Sequence, residues 1–263
     1  MKKLLQLSSI IKLSLLALFI SGCSTTTFYE VYNVASTSDV TLDTVAGFIS
    51  ENNDIRLNYN FWENKGIMYF TVYNKAKKPL YIDLNRSHLI LNDRSFDYFR
   101  NSETSNSSQT NSSSIQIIEK GEKKTVSYST QNATIVKDKP VYEIPPHSYI
   151  LINYFNLVDS KYVNCKLFNP KTYPAILRFE ADSIPLRFRN YITYSTTPAI
   201  ENPQIVENSF WVDEISYMRD QDFLGKSHPN VDCPGDDVKQ PPEKFQFPYK
   251  KPNKFYYTII KKN

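Results

Sequence analysis

"DIRLNYNFWENKGIMYFTVYN", residues 54–74, decides the fold. Its first half sets Ile55, Leu57, Tyr59 and Phe61 at alternate positions, with Arg56, Asn58 and Asn60 between them. A hydrophobic period of two marks a strand with one face in water. The tetrapeptide ENKG at 63–66 has the composition of a hairpin turn, and 67–74 is apolar at consecutive positions, as in a strand inside a sheet.

Outward from this hairpin the same signals recur. "PLYIDL" at 79–84 and "SHLILN" at 87–92 read as two further strands, and "SIQIIE" at 114–119, "KTVSYS" at 124–129 and "HSYILINYF" at 147–155 follow. The "IPP" at 144–146 is a stiff entry to an edge or crossing strand. Later segments include "AILRFE" at 175–180, "PLRFRNYITYS" at 185–195, "SFWVDEISYM" at 209–218 and "KFYYTIIKK" at 254–262. Leu186, Phe188, Ile192 and Tyr194 share one face with Asn190. Simple alternation puts Phe210 and Val212 opposite Ile215 and Tyr217, which predicts a bulge between them. Only "TLDTVAGFIS" at 41–50 has helix-like spacing, through Leu42, Val45, Ala46 and Ile49, and Gly47 weakens it.

Composition agrees. Nineteen tyrosines and sixteen phenylalanines suit the half-buried surface of a sheet. With six glycines in 263 residues, turns must be built from Asn, Asp, Pro and Ser. The expected fold is mainly β, an antiparallel β-sandwich, Ig-like or related, with little helix. Residues 28–160 hold the sandwich. Residues 161–263 hold further strands that complete the same domain or make a small second β-subdomain. The polar run at 101–114, "NSETSNSSQTNSSS", has no apolar residue to give to a core and is read as a mobile loop between strands or a boundary inside the sandwich.

The first 22 residues differ in kind. Lys2, Lys3 and Lys12 precede the apolar run Leu13–Ile20, which is far shorter than the roughly 20 residues a membrane-spanning helix needs. Ile20-Ser21-Gly22-Cys23 then resembles the bacterial lipobox. That resemblance implies a signal peptide over 1–22, cleavage between Gly22 and Cys23, and lipidation of the Cys23 thiol. Residues 23–27 become a lipidated terminus and short polar spacer, and "FYEVYNV" at 28–34 is a strand packed on both faces. Two or more acyl chains make a stable anchor where one is marginal. Cleavage removes three lysines, so the formal charge of +4 falls to +1 over 241 residues. The remaining lysines and arginines are interleaved with acids, and the short clusters "KAKKP" at 75–79 and "KGEKK" at 120–124 sit where turns are expected and read as solvated loop residues, so no nucleic-acid partner is expected.

The strand patterns "TTTFYEVYNV", "NYNFWENKGIMYFTVYNKAKKPLYIDLNRSHLILN", "YEIPPHSYILI", "NCKLF", "IPLRFRNYITY", "NSFWVDEISY" and "KFYYTI" together resemble a group of uncharacterised Bacteroidota cell-envelope lipoproteins. The resemblance spans nearly all of the mature chain and implies class and location, with no activity or site residue to transfer. It places the protein at the outer membrane, lipid-anchored. Ser24 to Thr27, in place of acidic residues behind the cysteine, favour the periplasmic face. Asp43-Thr44-Val45 and Asp182-Ser183-Ile184 look like the short O-glycosylation pattern of that phylum, at Thr44 and Ser183.

Chemical signatures are missing. Neither a G-x-G-x-x-G nor a P-loop pattern can be written, and there is no H-E-x-x-H or G-x-S-x-G. His88, His147 and His228 read as structural or loop residues, and neighbours such as Ser87-His88 do not make a triad. Asp213 and Glu214 are adjacent on a strand and point apart unless a bulge rotates them. Asp220, Asp222, Asp232, Asp236 and Asp237 fit no calcium loop. With Cys23 on lipid, Cys165 and Cys233 have one available disulfide pairing, worth on the order of 4 kcal/mol in the chain-entropy model, but a core of this size folds without it. No catalytic residue, metal or cofactor is expected. The bilayer is the first partner, through acylated Cys23, and an envelope protein or a glycan the second. The leading expectation is a structural or protein-interaction module. The alternative is a glycan- or peptidoglycan-binding module that stacks sugars on aromatics such as Tyr69, Tyr73, Tyr81 or Trp211.

Overall fold

Alternation of large apolar and polar side chains writes strand after strand into this chain. The computed structural model describes residues 25–99, 103–104, 113–119, 122–128, 136–137, 139–164, 167, 170–229 and 243–262. In chain order, β1 (Thr25–Ser36), β2 (Thr41–Asp43), β3 (Gly47–Glu51), β4 (Ile55–Tyr59), β5 (Ile67–Asn74), β6 (Leu80–Leu91) and β7 (Arg94–Asp97) come first. Two separate ribbons follow, built from β8 (Glu103–Thr104), β9 (Ser113–Glu119), β10 (Glu122–Tyr128) and β11 (Val136–Lys137), with β9 on β10 and β8 on β11. Then come β12 (Val141–Ile144), β13 (Tyr149–Asn156), β14 (Ala175–Arg178), β15 (Arg187–Ser195) and β16 (Gln204–Arg219). A short helix α1 (Asp220–Leu224), β17 (Ser227–Pro229), β18 (Glu243–Phe245) and β19 (Lys254–Lys262) close the order.

The protein is mainly β, with antiparallel sheets packed as a sandwich. The larger sheet runs β12-β6-β15-β16-β1-β19, with β7 added to β6 and β14 to β16; the smaller runs β13-β5-β4-β3-β2. Strands from both halves of the chain are hydrogen-bonded side by side in the larger sheet. Proline at 145 and 146 sits where the chain leaves the larger sheet after β12 and enters the smaller at β13. Ring contacts tie the layers: Phe61 meets Phe188 and Phe210 at 5.3 Å, and Phe48 meets Phe210 at 5.3 Å.

A polar thread runs through this apolar core. Tyr59 Oη donates to Asn208 Oδ1 (2.7 Å) and accepts from Asn190 Nδ2 (2.9 Å). Tyr98 Oη donates to Asn190 Oδ1 (2.7 Å), and Asn208 Nδ2 donates to Ser50 Oγ (2.8 Å). These groups join β3 and β4 of one sheet to β15 and β16 of the other. Burial pushes the Tyr59 and Tyr98 hydroxyls well above the usual tyrosine range, which keeps both as donors. Satisfied networks of this kind fix one packing arrangement, because a shifted register would strand each amide. The face that Asn190 shares with Phe188, Ile192 and Tyr194 is buried as expected.

The bulge in β16 falls at Asp213. Asn33 pairs with Glu214 and Val34 with Val212, so Asp213 is the extra residue. It returns Ile215 and Tyr217 to the face of Phe210 and Val212, and all four enter one core. β1 is packed on both faces, as read: Phe28, Tyr32 and Val34 join the main core, while Val31 joins Met218 and Phe223 in a second cluster outside the larger sheet.

Four expectations change. Residues 41–50 form the β2–β3 hairpin instead of helical spacing: Asp43 Oδ1 accepts from the Val45 and Ala46 N–H groups (2.8 and 2.6 Å), fixing the turn. Gly47 then sits at φ 101°, where an added Cβ would lie 2.0 Å from the Tyr59 carbonyl oxygen. Segments 79–84 and 87–92 are one strand, β6, interrupted by an irregularity. There Ser87 Oγ donates to the Asp83 carbonyl (2.6 Å) and accepts from the Thr193 N–H (3.0 Å), so the ladder continues past the extra residues. β5 is interior by pairing, between β4 and β13, but only one of its faces is buried. Finally, Thr25, Thr26 and Thr27, expected in the spacer, already pair with Lys262, Lys261 and Ile260. Most of the 101–114 run lies outside the described residues.

Candidate functional site

On β5, alternation sends Met68, Phe70 and Val72 into the core and Ile67, Tyr69, Thr71 and Tyr73 to the opposite face. No described element covers that face. β13 extends it, setting Tyr149 directly opposite Tyr73 and Leu151 opposite Thr71. Tyr69, Leu151 and Tyr149 are 39%, 44% and 66% exposed, a cluster of large side chains on two adjacent strands. Its margin is charged. Arg56 lies opposite Tyr73 on β4, with its guanidinium 5.8 Å from the ring centre. Glu51 bonds both Arg56 Nε (3.0 Å) and Lys75 Nζ (3.2 Å), and those two donors hold its carboxyl below the usual range. An apolar centre with a polar rim is the anatomy of a recognition surface.

Beside Tyr69 the surface becomes concave. Asn60, Trp62, Glu63, Ile67, Tyr69 and Lys250 line a cleft of about 370 Å³. Asn60 Oδ1 accepts from the Trp62 backbone N–H (3.1 Å), and the indole ring packs on Phe223 and Tyr256 with centroids 5.8 and 5.2 Å away. Lys65 and Gly66 turn the chain behind it with positive φ, and a Cβ on Gly66 would meet the Phe255 ring at 2.6 Å. Two aromatic walls with an amide, a carboxylate and an ammonium group at the rim can hold a ring with an apolar face and polar edges.

The four aromatics singled out in the sequence do not form one row. Tyr69 and Tyr73 share the smaller sheet, while Tyr81 is on β6 between Glu143 and Ser195. Trp211 is on β16 beside Arg187, in a separate hollow of about 240 Å³ with Ile90, Asp93 and Arg189. Tyr149 and Leu151 were missed. Their signal was the lack of any charge from 149 to 156.

The other residues disperse. His88 Nδ1 lies 2.9 Å from Asp97 Oδ1 on the outer face of the larger sheet, beside Tyr191. His147 occupies a turn with φ 57°, and of His228 only the backbone is described. Asp213 accepts from Asn33 Nδ2 (2.7 Å) whereas Glu214 pairs with Arg178 (3.0 Å), so the two acids serve different partners. Asp222 faces Arg219 at 3.5 Å. Thr44 is exposed in the β2–β3 turn, and Ser183 is exposed in a turn where its Oγ bonds the Glu180 backbone. Gly22, Cys23, Cys165 and Cys233 lie outside the described residues, as do Asp232, Asp236 and Asp237. Among the described residues no group of three or more His, Cys, Asp or Glu side chains is placed to hold a metal ion.

One buried acid also escaped sequence reading. Glu30 lies on the core face of β1 and is 2% exposed. Its Oε2 accepts from Tyr32 Oη (2.7 Å) and from the Tyr162 N–H (2.8 Å). Burial raises its carboxyl above the usual range, against those two bonds and the charge of Lys161. Its position in the alternation Phe28, Glu30, Tyr32, Val34 could have revealed it. No protein-family model matches the chain, and no curated protein or solved structure does either.

Proposed function

We propose that this chain is a cell-envelope lipoprotein, tethered to the outer membrane through acylated Cys23, that serves as a protein-interaction module. The observation that carries the reading is the uncovered face of the smaller sheet, where Tyr69, Tyr73, Tyr149 and Leu151 stand together inside a rim of Glu51, Arg56 and Lys75. Large aromatics concentrated within a charged margin are what protein interfaces select, and scattered surface residues lack that grouping. The lipobox-like Ile20-Ser21-Gly22-Cys23 supports the tether, and β1 beginning at Thr25 keeps the folded domain close to the bilayer.

A photo-crosslinking amino acid placed at 69 in intact envelopes tests the interaction, with the same substitution at 191, on the other sheet, as control. One heterologous protein captured from 69 and not from 191, and lost on addition of Tyr149→Ala, is the expected result. Capture of the chain alone, or equal capture from both positions, overturns it. For the tether, Cys23→Ser must leave the membrane fraction; a variant that still sediments with membranes refutes lipidation as the anchor.

The cleft between Trp62 and Tyr69 favours a second reading, a glycan or peptidoglycan fragment stacked on these rings. Binding of muropeptides that quenches tryptophan fluorescence and disappears in Tyr69→Ala would support it, and binding unchanged in Tyr69→Ala would dismiss stacking.

A further inference from the structure

The edge of the smaller sheet has a property its face does not. Edge strands expose unpaired backbone groups, and natural sheets blunt them with charge, proline, shortness or irregularity. Among the described strands of the two sheets, every edge but that of β13 is blunted in that way: β7 and β14 are four residues each and carry Arg94, Asp97 and Arg178. β2 is three residues long and ends at Asp43; β12 is four, contains Glu143 and runs into Pro145 and Pro146; β19 holds Lys254, Lys261 and Lys262. β13 is eight residues long and has no charged residue, proline or glycine. Among the described residues it pairs with β5 alone.

The ladder shows which of its groups are open. The Asn74 N–H donates to the Ser148 carbonyl (2.9 Å), and the Leu157 N–H to the Gly66 carbonyl (2.7 Å). Between these two bonds, antiparallel alternation directs the amides of Ile150 and Ile152 toward β5. The N–H and C=O groups of Tyr149, Leu151 and Asn153 therefore point outward. The register irregularity on β13 lies beyond Asn153 and leaves this stretch straight.

We propose that β13 is a strand-addition edge whose occupant is β13 of a second copy of this chain. Open groups at 149, 151 and 153 are symmetric about Leu151, so an antiparallel copy related by a two-fold axis sets Leu151 against Leu151 and Tyr149 against the partner copy's 153 position. All open groups then exchange hydrogen bonds. A strand without charge meets its own copy with no like-charge repulsion, whereas a charged edge would select a partner of opposite sign. Pairing joins two five-stranded sheets edge to edge and doubles the Tyr69–Tyr73 face into one continuous surface. The inference rests on the edge, and the partner reading above rests on the face.

The test uses the lipidated full chain. In isolated membranes, Leu151→Cys under mild oxidation should trap a reducible dimer beyond the wild-type background, because facing Cα atoms in such a pair lie about 5.5 Å apart, within disulfide reach. Ile260→Cys, more exposed on the β19 edge, should not. In detergent, sedimentation of the wild type should show a dimer whose dissociation constant rises about 100-fold in Leu151→Lys. The circular dichroism of Leu151→Lys should match the wild type, since this side chain faces solvent. Leu151→Cys trapping no more dimer than Ile260→Cys, or Leu151→Lys dimerising as the wild type does, overturns the proposal. A dimer trapped by Leu151→Cys while position 69 of the otherwise wild-type chain captures no heterologous protein sinks the partner reading and leaves the dimer standing.

Discussion

Both sheets turn aromatic side chains outward, yet only one of them covers what it exposes. Outside the larger sheet, Tyr29 and Val31 of β1 meet Met218, and the chain returns over them with α1 and Phe247. Phe223 of α1 stacks on Tyr29 with centroids 3.8 Å apart and packs against Trp62, Tyr256 and Phe247. Burial, with Asp220 nearby, pushes the Tyr29 hydroxyl up to about 12. Outside the smaller sheet, Tyr69, Tyr149 and Leu151 stay exposed among the described residues, and Tyr73 is half-buried with only the Arg56 guanidinium over its ring. An outward aromatic on a strand thus has two meanings, a second core or a surface for recognition. A five-residue helix separates them.

The covered face should break first. Phe223→Ala removes a ring that is 2% exposed and touches four others, and should cost about 3–5 kcal/mol in chemical denaturation. A cost under 1 kcal/mol would mean that α1 is a loose flap and that the two faces are alike.

The core between the faces comes next. Tyr59→Phe deletes the hydroxyl that serves both Asn190 and Asn208, leaving two buried amides each short of a partner. A loss of about 1–3 kcal/mol is expected from equilibrium unfolding. Restoration of stability by adding Asn190→Leu and Asn208→Leu to this variant would show that the network serves specificity more than stability.

Glu30 gives an effect with a sign that depends on pH. Its folded carboxyl titrates above the ordinary glutamate value, so the fold binds the proton more tightly than the unfolded chain does. Stability from this group is fully present below the ordinary glutamate pKa and is lost as pH rises through the raised folded one. Glu30→Gln keeps an acceptor for Tyr32 and Tyr162 without the charge. Its melting temperature should exceed the wild type's at pH 7, and the difference should vanish near pH 4. A gain independent of pH would assign the effect to packing.

The smallest effect belongs to the open face. Tyr69→Ala with Tyr149→Ala should change stability by no more than about 1 kcal/mol, because Tyr149 is mostly in water and Tyr69 is 39% exposed. The same pair should abolish crosslinking from neighbouring position 71. A large stability loss would show that this face is covered after all.

Much of the architecture was legible because strand periodicity is local: each of Ile55, Leu57 and Tyr59 declares its face through its neighbours two residues away. Even the Asp213 bulge was visible, as a break in the alternation around Val212 and Ile215. The 41–50 hairpin was not, because its turn depends on Asp43 reaching two backbone amides and on Gly47 lying under the Tyr59 carbonyl. The candidate face was legible in part. Tyr69 and Tyr73 alternate on one strand, but Tyr149 joins them from 76 residues away only through the β13–β5 pairing.

By itself, then, the sequence determined most of the strands and the apolar side of many of them, since both are written in runs of a few residues. Tertiary structure decided the rest. Whether an outward ring becomes core or surface, whether a strand lies inside a sheet or at its edge, and whether Glu30 meets water or Tyr162 all depend on segments distant in sequence. Burial is a property of the neighbours that the chain brings back, and no local pattern encodes their return.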